Sequence, residues 1–189
     1  MVEIIKKYKI GTRRFGYINW IGAFALYKKE VLRFLNVWAQ TIFSPIVSAL
    51  LFLVVLNLAI GDQRGEVLGA SFINFLAPGL IAMQIIQQAF SHSSSSFMIG
   101  KIQKNIVDIL YAPLSPAEVT LAVTFAAITR SVMIAFISII VFHFLIDLQV
   151  QNFIYLIIFT FLSAFILGAM GVIAGLWAEK FDHMATVTN

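Results

Sequence analysis

Residues 101–116 read KIQKNIVDILYAPLSP, a short polar stretch carrying Lys101, Lys104 and Asp108 between two long apolar runs. Residues 72–98 form the run before it and residues 119–146 the run after it. Each is long enough to cross a hydrocarbon core of about 30 Å, which takes roughly 20 residues of helix. A polar, amphipathic segment held between two such helices must emerge at a membrane surface, where it is placed to dock a soluble partner.

Working outward, residues 37–60 and 153–177 add two more runs of spanning length. Apolar residues make up 60% of the chain and charged residues only 12%, which no ordinary soluble domain matches. The connections between runs are short. The expected fold is therefore an all-α integral membrane protein, with a basic tail and interfacial helix over residues 1–36 and one membrane domain over residues 37–189. A closed β-barrel is excluded, because long unbroken apolar runs lack the alternation of a lumen-facing strand. The first span starts too late and runs too long for a cleavable signal peptide. With Cys 0, disulfide frameworks, thiolate metal sites and thiol nucleophiles are all removed.

Charge sets the expected orientation. Lys6, Lys7, Lys9, Arg13, Arg14, Lys28, Lys29 and Arg33 all precede the first span. The loops on the opposite side hold Arg64 against Asp62, Glu66 and Asp147. The positive-inside rule then puts the N-terminus in the cytoplasm and, after four spans, the C-terminus with it. The formal net charge of +4 reports this topology and contact with anionic lipid, with no reason to invoke nucleic acid.

Within the basic flank Trp20, Phe24, Tyr27, Val31, Phe34 and Trp38 recur at steps of four and three, with Lys29 and Arg33 on the opposite side. This pattern predicts an interfacial helix lying in the headgroup plane, aromatic face down. It serves either as a lipid anchor or as an added contact with a cytoplasmic partner.

Inside the spans, the first carries Gln40, Ser44 and Asn57 and is interrupted by Pro45, whose freed carbonyl neighbours must satisfy. The second has Pro78-Gly79 and the run Ser91 to Ser96, which either packs closely or lines a hydrophilic path. Arg130 lies in the third apolar run, where it must snorkel to headgroups or find a buried partner or cavity. Glu118 is placed to cap the start of that helix. The fourth span has no charge, and Gly168, Gly171 and Gly175 give it a small-residue face for close helix packing, either within the chain or across a dimer.

Catalytic, metal and cofactor sites are not expected. His92 and His143 fall at opposite membrane sides, and no nucleophile, base and orienting group can be assembled. Gly100-Lys101 lacks the upstream glycine and following hydroxyl of a phosphate loop, so any ATP is bound by another chain.

The order of segments resembles a known family. FLNVWAQTIFSPIVSALLF follows the interfacial helix, then FLAPGLIAMQIIQQAFSHSSSSFMIGKIQKNIVDILYAPLSPAEV, then GLWAEKFDHMATVTN after the fourth span. This is similar to the permease subunit of type-2 ATP-binding-cassette (ABC) exporters, the drug, lipid-linked and polysaccharide export permeases. The resemblance covers nearly the whole chain from about Trp20. The Pro-Gly of the second span and the N-x-x-D-x-L-x-A-P-L-S-P run carry it in combination.

By that resemblance, residues 100–116 are a coupling segment whose short helix sits in a groove of a cytoplasmic ATPase. Ile106, Ile109 and Leu110 would face that groove or the membrane underside, and Lys101, Lys104, Asn105 and Asp108 would make polar contacts. Ala112, Pro113, Leu114, Ser115 and Pro116 would end the segment. ATP and Mg would be held by the partner ATPase, and a second permease copy, as homodimer or heterodimer, would complete the pathway in a bacterial inner membrane. Family members usually have six spans, so the chain reads as C-terminally truncated, without the last two spans and the re-entrant helices between them. The expected function is the transmembrane permease subunit of an ABC transporter exporting a lipid, polysaccharide or drug-like substrate. The alternative is a small non-transporting membrane scaffold or assembly protein, which would tolerate charge reversal at Asp108 and Lys104.

Overall fold

The computed structural model describes residues 18–61, 66–67, 70–146 and 152–179. Lys6 to Arg14, Asp62, Arg64, Asp147 and His183 lie outside them. Among the described residues four helices are long and apolar enough to cross a membrane: Ala39–Ile60, Phe72–Ile102, Pro116–Leu145 and Phe153–Trp177. The described residues are helical apart from one ribbon of two short strands, each of two residues.

Helix α1 (Trp20–Leu35) leads into the first span. That span consists of a π-helical turn (Ala39–Phe43), helix α2 (Ser44–Leu56) and a second π-helical turn (Asn57–Gly61). Pro45 sits at the start of α2, directly after the first π turn. The wider turn absorbs the missing N–H that would otherwise interrupt a regular ladder. Strands β1 (Glu66–Val67) and β2 (Ala70–Ser71) pair Glu66 with Ser71 and Val67 with Ala70, turning the chain into α3 (Phe72–Ile102). Helix α4 (Ile106–Tyr111), α5 (Pro116–Leu145) and α6 (Phe153–Trp177) complete the order.

Helix α3 has 31 residues, about 46 Å at 1.5 Å per residue, so it outruns the hydrocarbon core. It continues to Ile102, beyond the expected end at residue 98, and α5 begins at Pro116 rather than at residue 119. Both extensions have local causes. Gln103 still donates to the Ile99 carbonyl at the end of α3. At α5, Ser115 and Glu118 form a reciprocal capping box with Pro116 in the first turn.

Helix α3 is the central element, packed against α2, α5 and α6. Its buried Leu80, Ile81 and Ile85 meet Leu53 of α2, Ile128 of α5 and Ala164 of α6 in one apolar cluster. Lipid is as apolar as these side chains, so close packing and internal hydrogen bonds hold the bundle together. The glycines of α6 supply the closeness. A Cβ at Gly171 would stand 2.5 Å from the Phe90 carbonyl oxygen, and one at Gly175 2.6 Å from that of Ser94. Gly168 rests against Thr124 and Ala127 of α5. All three glycines thus pack within the chain.

Helix α1 packs along the first half of α5. Asn19 bonds Glu118 at the start of α5, and the Tyr27 hydroxyl bonds the Thr129 hydroxyl at 2.8 Å, 11 residues further along the same helix. Its buried residues are Leu26, Glu30 and Phe34. The expected aromatic face divides accordingly: Trp20 and Phe24 stay outside at 73% and 64% exposure, while Phe34 meets the His92 ring edge-on at 5.6 Å. Arg33, expected opposite that face, turns inward.

Candidate functional site

Two features stand out, one at the α4 end of the bundle and one along the spans. At the α4 end, α3 stops at Gln103 and Lys104 adopts the left-handed conformation at φ 59. A non-glycine residue rarely occupies that region, and here it reverses the chain out of α3 into α4. Asn105 donates to the Gln103 side chain at 3.1 Å across the turn. Beyond α4, Ala112 is extended, as the residue before a proline prefers, and Leu114 donates back to its carbonyl at 2.7 Å.

No residue of α4 is fully buried. Ile106 packs beneath it on the cluster of Phe97, Val123 and Val172. Ile109 lines a cavity of about 540 Å³ between α1 and residues 108–114. Leu110 alone of the three expected apolar contacts points outward, at 75% exposure. Val107 and Tyr111 join it, Tyr111 at 87%. Their spacing of three and four residues was the available signal, masked by the equally periodic Ile106 and Ile109. Lys104 and Asp108 are exposed beside them.

Lys101 has a different job. Its ammonium donates to the Leu176 carbonyl and, at 2.9 Å, to the Ala178 carbonyl, neutralising the C-terminal end of α6. It is turned onto α6 rather than outward.

The segment is tied to two helices at once. Glu118 accepts from the backbone N–H of Ser115 at 2.6 Å and from that of Asn19 at 2.6 Å. The Asn19 side chain donates to the Pro113 carbonyl at 3.2 Å and accepts from Gly22 at 3.0 Å. A single residue thereby caps α1 and grips the exit from α4.

Along the spans, a cavity of about 460 Å³ lies between the first span, α3 and Arg130 of α5. Gln40, Thr41, Ser44 and Ser48 line one wall; Gln84, Gln87, Gln88 and Ser91 line the other. Arg130 donates to the Gln88 side-chain oxygen at 2.6 Å, while its buried Nε has no hydrogen-bond partner among the described residues. It lies 14 residues into α5, about 21 Å along the helix. The guanidinium borders the cavity. Gln84 is buried and bridges three helices, donating to the Pro45 carbonyl and accepting from Ser138 at 3.0 Å.

The serine run divides between its two readings. Ser93 bonds back to Ala89 at 3.1 Å and packs under Gly171, whereas Ser91 lines the cavity. Nearby, buried Glu30 pairs with Arg33 at 2.9 Å, and Arg33 donates to the His92 carbonyl at 3.3 Å. The carboxylate of α1 thus compensates Arg33, which sequence periodicity alone assigns to the outer face.

Comparison with known proteins bears on the whole described bundle. The family model for the ABC-2 type transporter matches residues 22–189. The chain is 26% identical over 171 residues to the inner membrane transport permease YadH of Escherichia coli K12, covering 90% of this chain and 67% of that protein. The same protein from Escherichia coli O157:H7 and from Shigella flexneri matches to the same extent. No solved structure gives a significant match.

Proposed function

The chain belongs to the ABC-2 type transporter family and is a transmembrane permease subunit of an ABC transporter; on that premise we propose how it is driven and oriented. The α4 end faces the cytoplasm of a bacterial inner membrane, with residues 1–36 on the same side. There Val107, Leu110 and Tyr111, flanked by Lys104 and Asp108, seat in a groove of a separate ATPase subunit that binds ATP and Mg. Hydrolysis takes place in that partner, and this chain supplies the path for export beside a second permease copy.

The observation that carries this reading is an exposed apolar ridge on a short helix whose exit is tied to two neighbouring helices. Exposed apolar groups rimmed by polar ones mark interaction surfaces. That tie gives a docked load somewhere to go: movement of α4 pulls on α5 through Ser115 and Glu118, and on α1 through Asn19. Helix α5 in turn carries Arg130 into the cavity. An ATPase that approached its twin on binding nucleotide would shift both spans.

Co-purification with the candidate ATPase tests it, together with stimulation of ATP hydrolysis in proteoliposomes. Wild type should retain the ATPase, and Leu110→Asp with Tyr111→Asp should lose it while the variant remains monodisperse. An ATPase retained equally by that variant would move the contact elsewhere.

A further inference from the structure

We propose that the cavity between the first span, α3 and Arg130 binds the oxyanion head group, phosphate or carboxylate, of an amphiphile, with Arg130 and Gln88 as its recognition pair. This rests on the permease reading and adds the chemical class of the cargo.

Three observations converge on it. The first is uncompensated charge. The Arg33 guanidinium is paired with the Glu30 carboxylate at 2.9 Å. Arg130 has only the neutral Gln88 amide, and its Nε is buried without a partner. A cation within a membrane domain is costly unless it faces an anion or a wet cavity. A planar guanidinium presents a fork of donors matched to an oxyanion, which the single Gln88 oxygen cannot fill.

The second is the lining. Amides and hydroxyls of Gln40, Ser44, Ser48 and Gln87 line the same cavity as Arg130 and are exposed. They can donate to a polar head group without adding charge. The third is the opening. Phe52 and Met83, both about half exposed, border the same cavity, so an acyl or alkyl chain attached to the head group would leave along an apolar flank. The volume of about 460 Å³ suits a head group rather than an entire lipid.

The test is equilibrium binding of radiolabelled dodecyl phosphate to the full chain in neutral maltoside micelles. Dodecylphosphocholine serves as the zwitterionic comparison and inorganic phosphate as the head group without a chain. Saturable binding of dodecyl phosphate is expected, at least tenfold weaker in Arg130→Gln. Gln88→Glu should lose binding to a similar degree, because its carboxylate would pair with Arg130 and take the ligand's place. That second variant keeps a charge pair in the cavity and so remains informative if Arg130→Gln fails to fold. Unchanged affinity in the folded variants would overturn the proposal, as would equal affinity for dodecylphosphocholine. Equally tight inorganic phosphate would overturn the amphiphile. A chain that retains its ATPase but binds no dodecyl phosphate would refute this inference and leave the permease reading standing.

Discussion

The backbone N–H of Asn19 donates to the Glu118 carboxylate at 2.6 Å, joining residues 99 positions apart at the point where α1, α4 and α5 meet. The same carboxylate closes the capping box of α5 through Ser115. Glu118 therefore ties α1 to the exit of α4 as well as capping α5. It fixes the entry of α1 and the exit of α4 relative to the same first turn.

Replacing it should cost both functions. Glu118→Ala strands the buried Asn19 donor and removes the cap, a loss of about 1–3 kcal/mol. Glu118→Gln keeps one acceptor oxygen and should lose about half as much. Thermal unfolding in detergent gives the order, and ATP hydrolysis by the reconstituted complex should become less dependent on the permease in Glu118→Ala than in Glu118→Gln.

The α6 glycines should rank by what a new methyl would meet. Gly171→Ala and Gly175→Ala press on backbone carbonyls of α3 at 2.5 and 2.6 Å, which cannot rotate away. Overpacking of this kind costs about 1–3 kcal/mol. Gly168→Ala meets the Thr124 methyl at 3.3 Å and should be milder. Melting temperatures of the three variants test the ranking, and equal values would contradict the packing described for α6.

Gln84 holds the first span to α3 and α5 through Pro45 and Ser138. Hydrogen bonds between membrane helices are worth about 0.6 kcal/mol on average and at most about 2. A double-mutant cycle of Gln84→Leu and Ser138→Ala should return a coupling in that range. No coupling would mean that the bridge carries no energy.

Lys101→Met should loosen α6 without weakening ATPase binding. Its ammonium covers the carbonyls of Leu176 and Ala178, and such a contact contributes about 0.3–1 kcal/mol. Faster amide exchange at the end of α6 with unchanged ATPase retention is the expected pattern. Lost retention would return Lys101 to the docking face.

The spans are legible in the sequence because their signal is additive: each needs only length and apolarity. Gly168, Gly171 and Gly175 are legible for a related reason, since small residues at helical spacing have few uses in a membrane. What periodicity cannot supply is the neighbour. Tyr27 and Phe34 share a helical face with Trp20 and Phe24, yet the first pair meets α5 and α3 while the second stays outside. The Arg33–Glu30 pair was equally hidden, because a charged residue three positions from another reads as solvated surface until a third helix covers it. On α4, six residues offer too short a window to separate the inward Ile106 and Ile109 from the outward Val107, Leu110 and Tyr111.

The most direct measurement exploits the absence of cysteine, Cys 0, from the native chain. Leu110→Cys and, at the opposite end of the bundle, Phe153→Cys would each be reconstituted with the ATPase and treated with a short thiol-to-amine crosslinker. A permease–ATPase adduct is expected from position 110, lost when Asp108→Lys is added, and none from position 153. An intact complex that crosslinks from 153 but not from 110 would contradict it.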